Sequence, residues 1–449
     1  MSSQNPPNPP VPPRPPAPPR PPGPPGPPGS AGPSGRATAR HGWAQALGTV
    51  LAALLAMGLV AALGLWAAGA ADLPDNAFPR VVVATVVTAV GGALEMSGDA
   101  GELAATDAGL TVMPLSVTLT GALVVARGFL RPLRHRTVAG APELAGWAGR
   151  IAVLWLLGLL GTAFAARQTF EVSLGEGLLG DLGDFFDVTP TVGFTTDVPL
   201  TVLFGLLWLA GVLVLALLVS RAAPLPGPPA RLRTAVRPAA YAMVALLLAY
   251  VVLGAVVALV VAVTRDRPAE TFAVLLLGLP NLAWPALTIG LGATWDGRAE
   301  GPFGLPMPKV LDDVLRTPDV STVNLGTLTE RDGRLWWLLV AAAVLVLAAG
   351  YLMAARSPVR TPAWLQAVRM AVALALTVLM IGLVGRISAH YGLSVLGIGD
   401  LGGGLSGRFF LRPRLRGAVG LALLWGLVAG FLGALLARWV GERSGRGPR

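Results

Sequence analysis

The sequence predicts an all-α polytopic membrane protein of two tandem parallel repeats, with eight transmembrane helices plus two re-entrant or broken hairpins. Three observations predict it. Apolar runs near or beyond roughly 18 residues recur along the chain. Arginines gather at the ends of those runs, as they do where a membrane protein meets the cytoplasm. The two halves of the chain also resemble each other. The 449 residues are 54% hydrophobic and 13% charged, with mean hydropathy +0.66, a balance that a water-soluble core would not need.

Residues 1–43 form a proline-rich tail containing PPRPPAPPRPPGPPGPPG. That composition favours polyproline II over a packed core and predicts a disordered cytoplasmic segment. It also makes the tail a candidate ligand for a proline-recognising protein partner. No charged-then-apolar leader opens the tail. The first span is expected at Ala46–Ala68, followed by the shorter apolar piece Val81–Met96 and an acidic segment with Asp99, Glu102 and Asp107. Spans follow at Leu110–Ala126, Ile151–Ala166 and Leu200–Ser220, and a basic proline-rich link occupies 222–238. The second half offers Ala239–Thr264, the proline-broken stretch Thr271–Trp295, a polar insertion over 296–334, and spans at Trp336–Ala355, Met370–Ser388 and Gly417–Ala437. Residues 439–449 form a second cytoplasmic tail.

The repeat units are 44–221 and 239–438. Arg150-Ile151-Ala152-Val153 matches Arg369-Met370-Ala371-Val372 at an offset of 219, which carries Arg167 onto Arg386 and Gly180-Asp181-Leu182-Gly183 onto Gly399-Asp400-Leu401-Gly402. After a two-residue adjustment, Leu206-Leu207-Trp208 falls on Leu423-Leu424-Trp425 and Arg221 on Arg438. Aliphatic matches mean little in such helices; the Arg, Trp and GDLG matches carry the argument.

Topology turns on Val81–Met96 and Thr271–Trp295. If both cross, the chain has ten transmembrane helices and the repeats are inverted. If both are hairpins, eight crossings remain and the repeats are parallel. The parallel arrangement puts the arginine clusters at 127–136, 221–237, 356–369 and 438–449 on the side of both termini, the cytoplasmic side of the plasma membrane. Arg408, Arg412, Arg414 and Arg416 then fall on the opposite side and stand outside the rule.

Several chemistries are disfavoured. There is no cysteine, so disulfides and thiolate sites are excluded. The three histidines, His41, His135 and His390, sit on separate segments, and no HExxH, Walker or dinucleotide loop lies in a credible context. No catalytic residue, metal site or cofactor is expected, and the chain is not read as an enzyme. The net charge of +10 reflects helix-end arginines and does not point to nucleic acid; the expected partner is the lipid bilayer. The candidate binding residues are polar groups in apolar surroundings: Asn281, Trp284 and Thr288 in the broken stretch, Glu95 at the first hairpin, and the paired Asp181 and Asp400. The structural alternatives are a cap for backbone freed by Pro280 and Pro285 at Asn281, and Asp-stabilised turns at the two GDLG loops. The outward connections also contain Val90-Gly91, Val192-Gly193, Ile289-Gly290 and Ile398-Gly399, a pattern open to an ion-filter reading.

The stretch LPNLAWPALTIGLGATWDGRAEGPFGLPMPKVLDDVLRTPDVST, Leu279–Thr322, resembles the streptophobe family, hydrophobic proteins of actinobacteria that often carry proline-rich N-termini. The resemblance extends from about residue 43 to the C-terminus. It implies an integral membrane protein and assigns no activity. Two function classes stay open: a permease or channel-like protein with its path between the repeats, and a non-transporting component that binds a partner through its tail or its insertion.

Overall fold

A backbone in lipid finds no water for its N–H and C=O groups, so each apolar run closes its hydrogen bonds within one helix. The computed structural model describes residues 34–72, 77–92, 94–99, 104–135, 141–166, 168–171, 191–220, 230–264, 268–300, 309–316, 319–358, 361–395 and 407–443. The chain separates into two compact units, Met1–Gly42 and Trp43–Arg449. The elements below lie in the second, apart from the first turns of α1.

The first half runs α1 (Ser34–Ala67), α2 (Ala77–Ala89), β1 (Leu94–Asp99), β2 (Ala104–Thr111), α3 (Leu115–Leu130), α4 (Ala141–Ala165), β3 (Gln168–Glu171), β4 (Thr191–Thr196) and α5 (Val198–Val219). The second runs α6 (Ala230–Thr264), α7 (Pro268–Gly290), β5 (Trp295–Ala299), α8 (Lys309–Leu315), β6 (Ser321–Val323), α9 (Leu325–Arg331), α10 (Trp337–Arg356), α11 (Ala363–Val384), β7 (Ile387–Val395), β8 (Gly407–Pro413) and α12 (Leu415–Arg443).

Among the described residues, 8 helices are long and apolar enough to cross a membrane: α1, α4, α5, α6, α7, α10, α11 and α12. The helical polytopic architecture is the one the sequence predicts, and it makes the chain an integral membrane protein. The membership of the set differs from the expected spans. It includes α7, expected as a hairpin, and leaves out α3, expected as a crossing. The 16 residues of α3 rise about 24 Å, short of the ~30 Å hydrocarbon core, and the 3₁₀ turn Pro132–His135 adds about 8 Å. The 13 residues of α2 rise only about 20 Å.

Among the described residues, eight strands come in addition to the expected helices. They form one antiparallel sheet of order β3-β4-β1-β2-β7-β8-β5-β6. Its members lie in the connections α2–α3, α4–α5, α7–α10 and α11–α12, so the sheet gathers four segments that are remote in sequence. β6 and all but the first residue of β5 fall within the stretch expected as an insertion. The sheet order reads as the same four-strand unit twice, second hairpin before first, with β2·β7 as the joint.

The registers agree with that reading. Gln168 stands opposite Phe194 in β3·β4, and Ile387 opposite Leu411 in β7·β8. Ile387 is 219 residues beyond Gln168 and Leu411 is 217 beyond Phe194, the two offsets found in the helices. Leu94 opposite Thr196 corresponds likewise to Trp295 opposite Pro413, again 217 residues after Thr196.

Among the described residues two large apolar cores form, and the second takes in residues of the sheet. One joins Val50, Met57, Phe129, Ile151, Trp155 and Leu209 of the first half; the other joins Leu246, Leu287, Trp295, Met353, Met370 and Ile381 of the second. In the second, α10, α11 and α12 approach until backbones touch. A Cβ built on Gly433 would meet the carbonyl carbon of Gly350, and one on Gly426 the Cα of Ala371. Lipid gives helices no hydrophobic reason to associate, so close packing of small residues supplies the attraction. Gly433→Ala is therefore expected to lower stability in detergent by about 1–3 kcal/mol through overpacking. Gly420→Ala, whose Cβ meets nothing within 4 Å, should be neutral or stabilising by up to about 1 kcal/mol. Paired thermal unfolding curves check both.

Candidate functional site

The site predicted at the broken stretch is built around the interruption in α7. Pro280 and Pro285 lie inside this helix, and Gly278 departs from helical geometry at φ −134°, ψ 18°. A proline removes one N–H and crowds the carbonyl four residues back, so the ladder must open here. The gap is filled from α3. Ser116 Oγ donates to the Leu275 carbonyl at 3.0 Å and accepts from the Leu279 N–H at 3.1 Å, the two groups that would have bonded each other in an unbroken helix. One hydroxyl therefore splices the ladder, a recognised cause of helix kinks.

Asn281 makes the reciprocal contact. Its Oδ1 accepts from the Leu115 N–H at 3.0 Å, and its Nδ2 donates to the Met113 carbonyl at 2.9 Å. Leu115 is the first residue of α3 and its N-cap is Pro114, whose side chain caps nothing. Asn281 thus serves a helix start more than 160 residues away. The backbone it satisfies belongs to α3, not to the prolines beside it.

Trp284 and Thr288 lie on the buried part of the same helix. Trp284 Nε1 donates to the Leu247 carbonyl of α6 at 3.3 Å. Thr288 Oγ1 donates to the Pro285 carbonyl at 2.8 Å and accepts from Trp295 Nε1 at 2.9 Å, tying the end of α7 to the first residue of β5. Thr288 and Trp295 are 2% and 1% exposed, so this link sits in the core. Glu95 lies on β1, opposite Gly109 and Thr195. Asp181 and Asp400 lie outside the described residues. The structure joins Asn281 to the backbone of Met113 and Leu115, sets Ser116 of the same helix start against the break in α7, and joins Thr288 to Trp295; none of these partners is singled out by the sequence.

The ends of α2 and α7 close in the same way. Gly91 donates to the Thr88 carbonyl and Gly92 to Val87; Gly292 donates to Ile289 and Ala293 to Thr288. Each is a Schellman cap, with Gly91 at φ +95° and Gly292 at φ +97°, a conformation that side chains with a Cβ resist. A Cβ on Gly91 would meet Phe204, and one on Gly292 would meet Leu421, residues 217 apart. The repeated feature is therefore this cap, not the β-branched residue followed by glycine. Val192-Gly193 lies within β4, paired with β1 and β3. Ile398-Gly399 is outside the described residues.

The unexplained arginines gain partial partners. Arg414 Nε lies 3.0 Å from both carboxylate oxygens of Asp296, and its Nη2 lies 2.9 Å from one of them. This hydrogen bond and the carboxylate charge raise its already high pKa. Arg412 lies 5.7 Å from the Phe410 ring. An open groove of about 560 Å³ lies beside them, lined by Gly292–Thr294, Pro413–Gly417 and Leu421. It holds none of the predicted site residues.

Compared with known proteins, the chain matches no family model, no curated protein and no solved structure.

Ser116→Ala and Asn281→Ala should each destabilise the protein by about 1–3 kcal/mol, because each leaves a backbone donor and acceptor without a partner. Thermal or denaturant unfolding in detergent measures this. Unchanged stability in Asn281→Ala would mean that its amide is free for a ligand.

Proposed function

We propose that the protein is a non-transporting, streptophobe-like component of the plasma membrane, whose two parallel repeats hold an eight-stranded sheet on the extracytoplasmic face. The observation that carries this reading is the fate of the polar atoms in α7. The amide of Asn281, the indole N–H of Trp284 and the hydroxyl of Thr288 are all engaged in bonds to the protein itself. A transport path would present such groups to a solute.

The topology within this proposal has eight crossings, with α2 and α7 entering and leaving by the sheet side. Length cannot decide it for α7, since 23 residues rise about 35 Å, enough to cross. Neighbours favour re-entry. The far end of α10, Arg356, stacks 3.2 Å above the ring of Tyr241 near the start of α6, so α6 runs toward the sheet side and ends there at Thr264. Pro268 starts α7 only a few residues later. At its other end Gly290 packs on Leu338 and Ala342, in the first turns of α10, and β5 follows. These contacts support a reading in which both ends of α7 lie on one side. The shared strand registers and Schellman caps support parallel repeats in the same way. With both termini cytoplasmic, the arginine-rich helix ends at 127–136, 356–369 and 438–449 all face the cytoplasm, as the positive-inside bias requires.

Purified protein in liposomes should pass potassium, sodium and protons at the rate of empty vesicles. Flux above that background that is lost in Asn281→Ala would overturn the non-transporting reading. Reporter fusions after Asp332 and Arg356 should report extracytoplasmic and cytoplasmic positions respectively, and the reverse pattern would invert the proposed orientation.

A further inference from the structure

The arginines that stand outside the positive-inside pattern, Arg408, Arg412, Arg414 and Arg416, are all exposed. Arg414 and Arg416 line the open groove of about 560 Å³, where α7 passes into β5 and β8 passes into α12. Its other walls are mostly apolar, from Ala293, Pro413, Leu415 and Leu421. Leu421 belongs to the first turns of α12, one of the helices apolar enough to cross a membrane. The groove therefore joins two arginines to the surface of a membrane helix. Asp296 engages Arg414 through both carboxylate oxygens, whereas among the described residues no carboxylate pairs with Arg416. The corresponding place in the first half is built differently. The offset of 217 sets Asp197 at the position of Arg414, Pro199 at that of Arg416, Leu200 at that of Gly417 and Phe204 at that of Leu421. Asp197 caps α5 by accepting from the Leu200 N–H at 3.0 Å. Where the first half has an acid and two larger apolar side chains, the second has two arginines, a leucine and a glycine whose added Cβ would meet nothing within 4 Å. Positive charge at the start of a helix opposes its dipole, so these arginines are placed at a cost that a bound anion would offset.

We propose, resting on the repeat reading above, that this groove holds the headgroup of an anionic phospholipid, with Arg416 as its main charge contact and an acyl chain lying over Leu421. A guanidinium matches phosphate oxygens with a planar fork of donors. Basic pockets beside membrane helices hold acidic headgroups in the same way. The mixture of apolar walls with a few polar groups that fix orientation is that of a small-molecule site. A free phosphate would leave the apolar walls uncovered, whereas a phospholipid covers both parts.

The natural chain has no cysteine, so Gly420→Cys, about one turn beyond Gly417 on α12, carries a single fluorophore. This full-length parent is reconstituted in phosphatidylcholine bilayers with a small fraction of phosphatidylglycerol or phosphatidylcholine that bears a quenching nitroxide on its acyl chain. Phosphatidylglycerol is expected to quench at a several-fold lower fraction than phosphatidylcholine. Arg416→Gln and Gly417→Leu, made in this parent, should each bring the two lipids together, the first by removing the charge and the second by filling the groove. Arg416→Lys, which keeps the charge, should keep most of the preference. Arg408→Gln, which removes an exposed arginine near the other end of β8, should keep all of it. Unfolding curves matched to the parent establish that each variant is folded. Equal quenching by both lipids in the parent overturns the assignment. So does a preference that survives Arg416→Gln or Gly417→Leu, or one that falls as far in Arg408→Gln or Arg416→Lys. Relief of quenching by added inorganic phosphate would show a site for the free anion and also overturns it. Quenching reads the groove and not the orientation of the chain. A negative result therefore leaves the repeat and topology readings standing, and a reversed reporter pattern would place the same lipid in the other leaflet.

Discussion

Backbone groups in hydrocarbon must be satisfied by the protein, and α7 is where this chain meets that constraint with the least margin. Two prolines and a glycine open its ladder, and the missing partners come from the start of α3. The exchange runs in both directions, since Asn281 of α7 completes the start of α3 in turn. A break in one half is thus made tolerable by a helix terminus in the other. Each element satisfies backbone groups that the other leaves open, so four hydrogen bonds join the two halves here in addition to apolar contact.

The same junction positions the sheet. α7 ends in a Schellman cap, turns at Gly292 and delivers Trp295 to the first position of β5, where its indole bonds back to Thr288. α2 ends in the same cap and delivers Leu94 to β1. Both helices hand their strands to the sheet through the same cap, and β1·β4 and β5·β8 keep corresponding registers. β2 and β7 then pair and continue one sheet across the halves.

The helices were legible because lipid selects for one property, a long apolar run, and that property is visible in any window of the sequence. The strands were not. β1 reads LEMSGD and β2 AATDAGLT, with small and acidic residues where alternation should show. Their pairing partners lie in other loops, and no local pattern points to them. What was legible was indirect: the change of offset from 219 to 217 between Arg167 and Leu206 reappears as the register difference between β3 and β4 against β7 and β8. At the broken helix the sequence pointed to Asn281 through its unusual setting. It gave no hint of Ser116, one hydroxyl among several in LSVTLT, because its role depends on meeting a break about 160 residues away. Arg414 was visible as a charge on the wrong side, and its carboxylate partner Asp296 is reached only through the β5·β8 ladder.

The claim on which the topology rests is that α7 begins and ends on one face of the membrane. Single cysteines at Thr264, before α7, and at Glu300, after β5, can be labelled with a membrane-impermeant maleimide in sealed vesicles of known orientation. Labelling of both positions from the same side is the predicted result. Labelling of Thr264 from one side and Glu300 only from the other would mean that α7 crosses, and would contradict the parallel arrangement of the two halves.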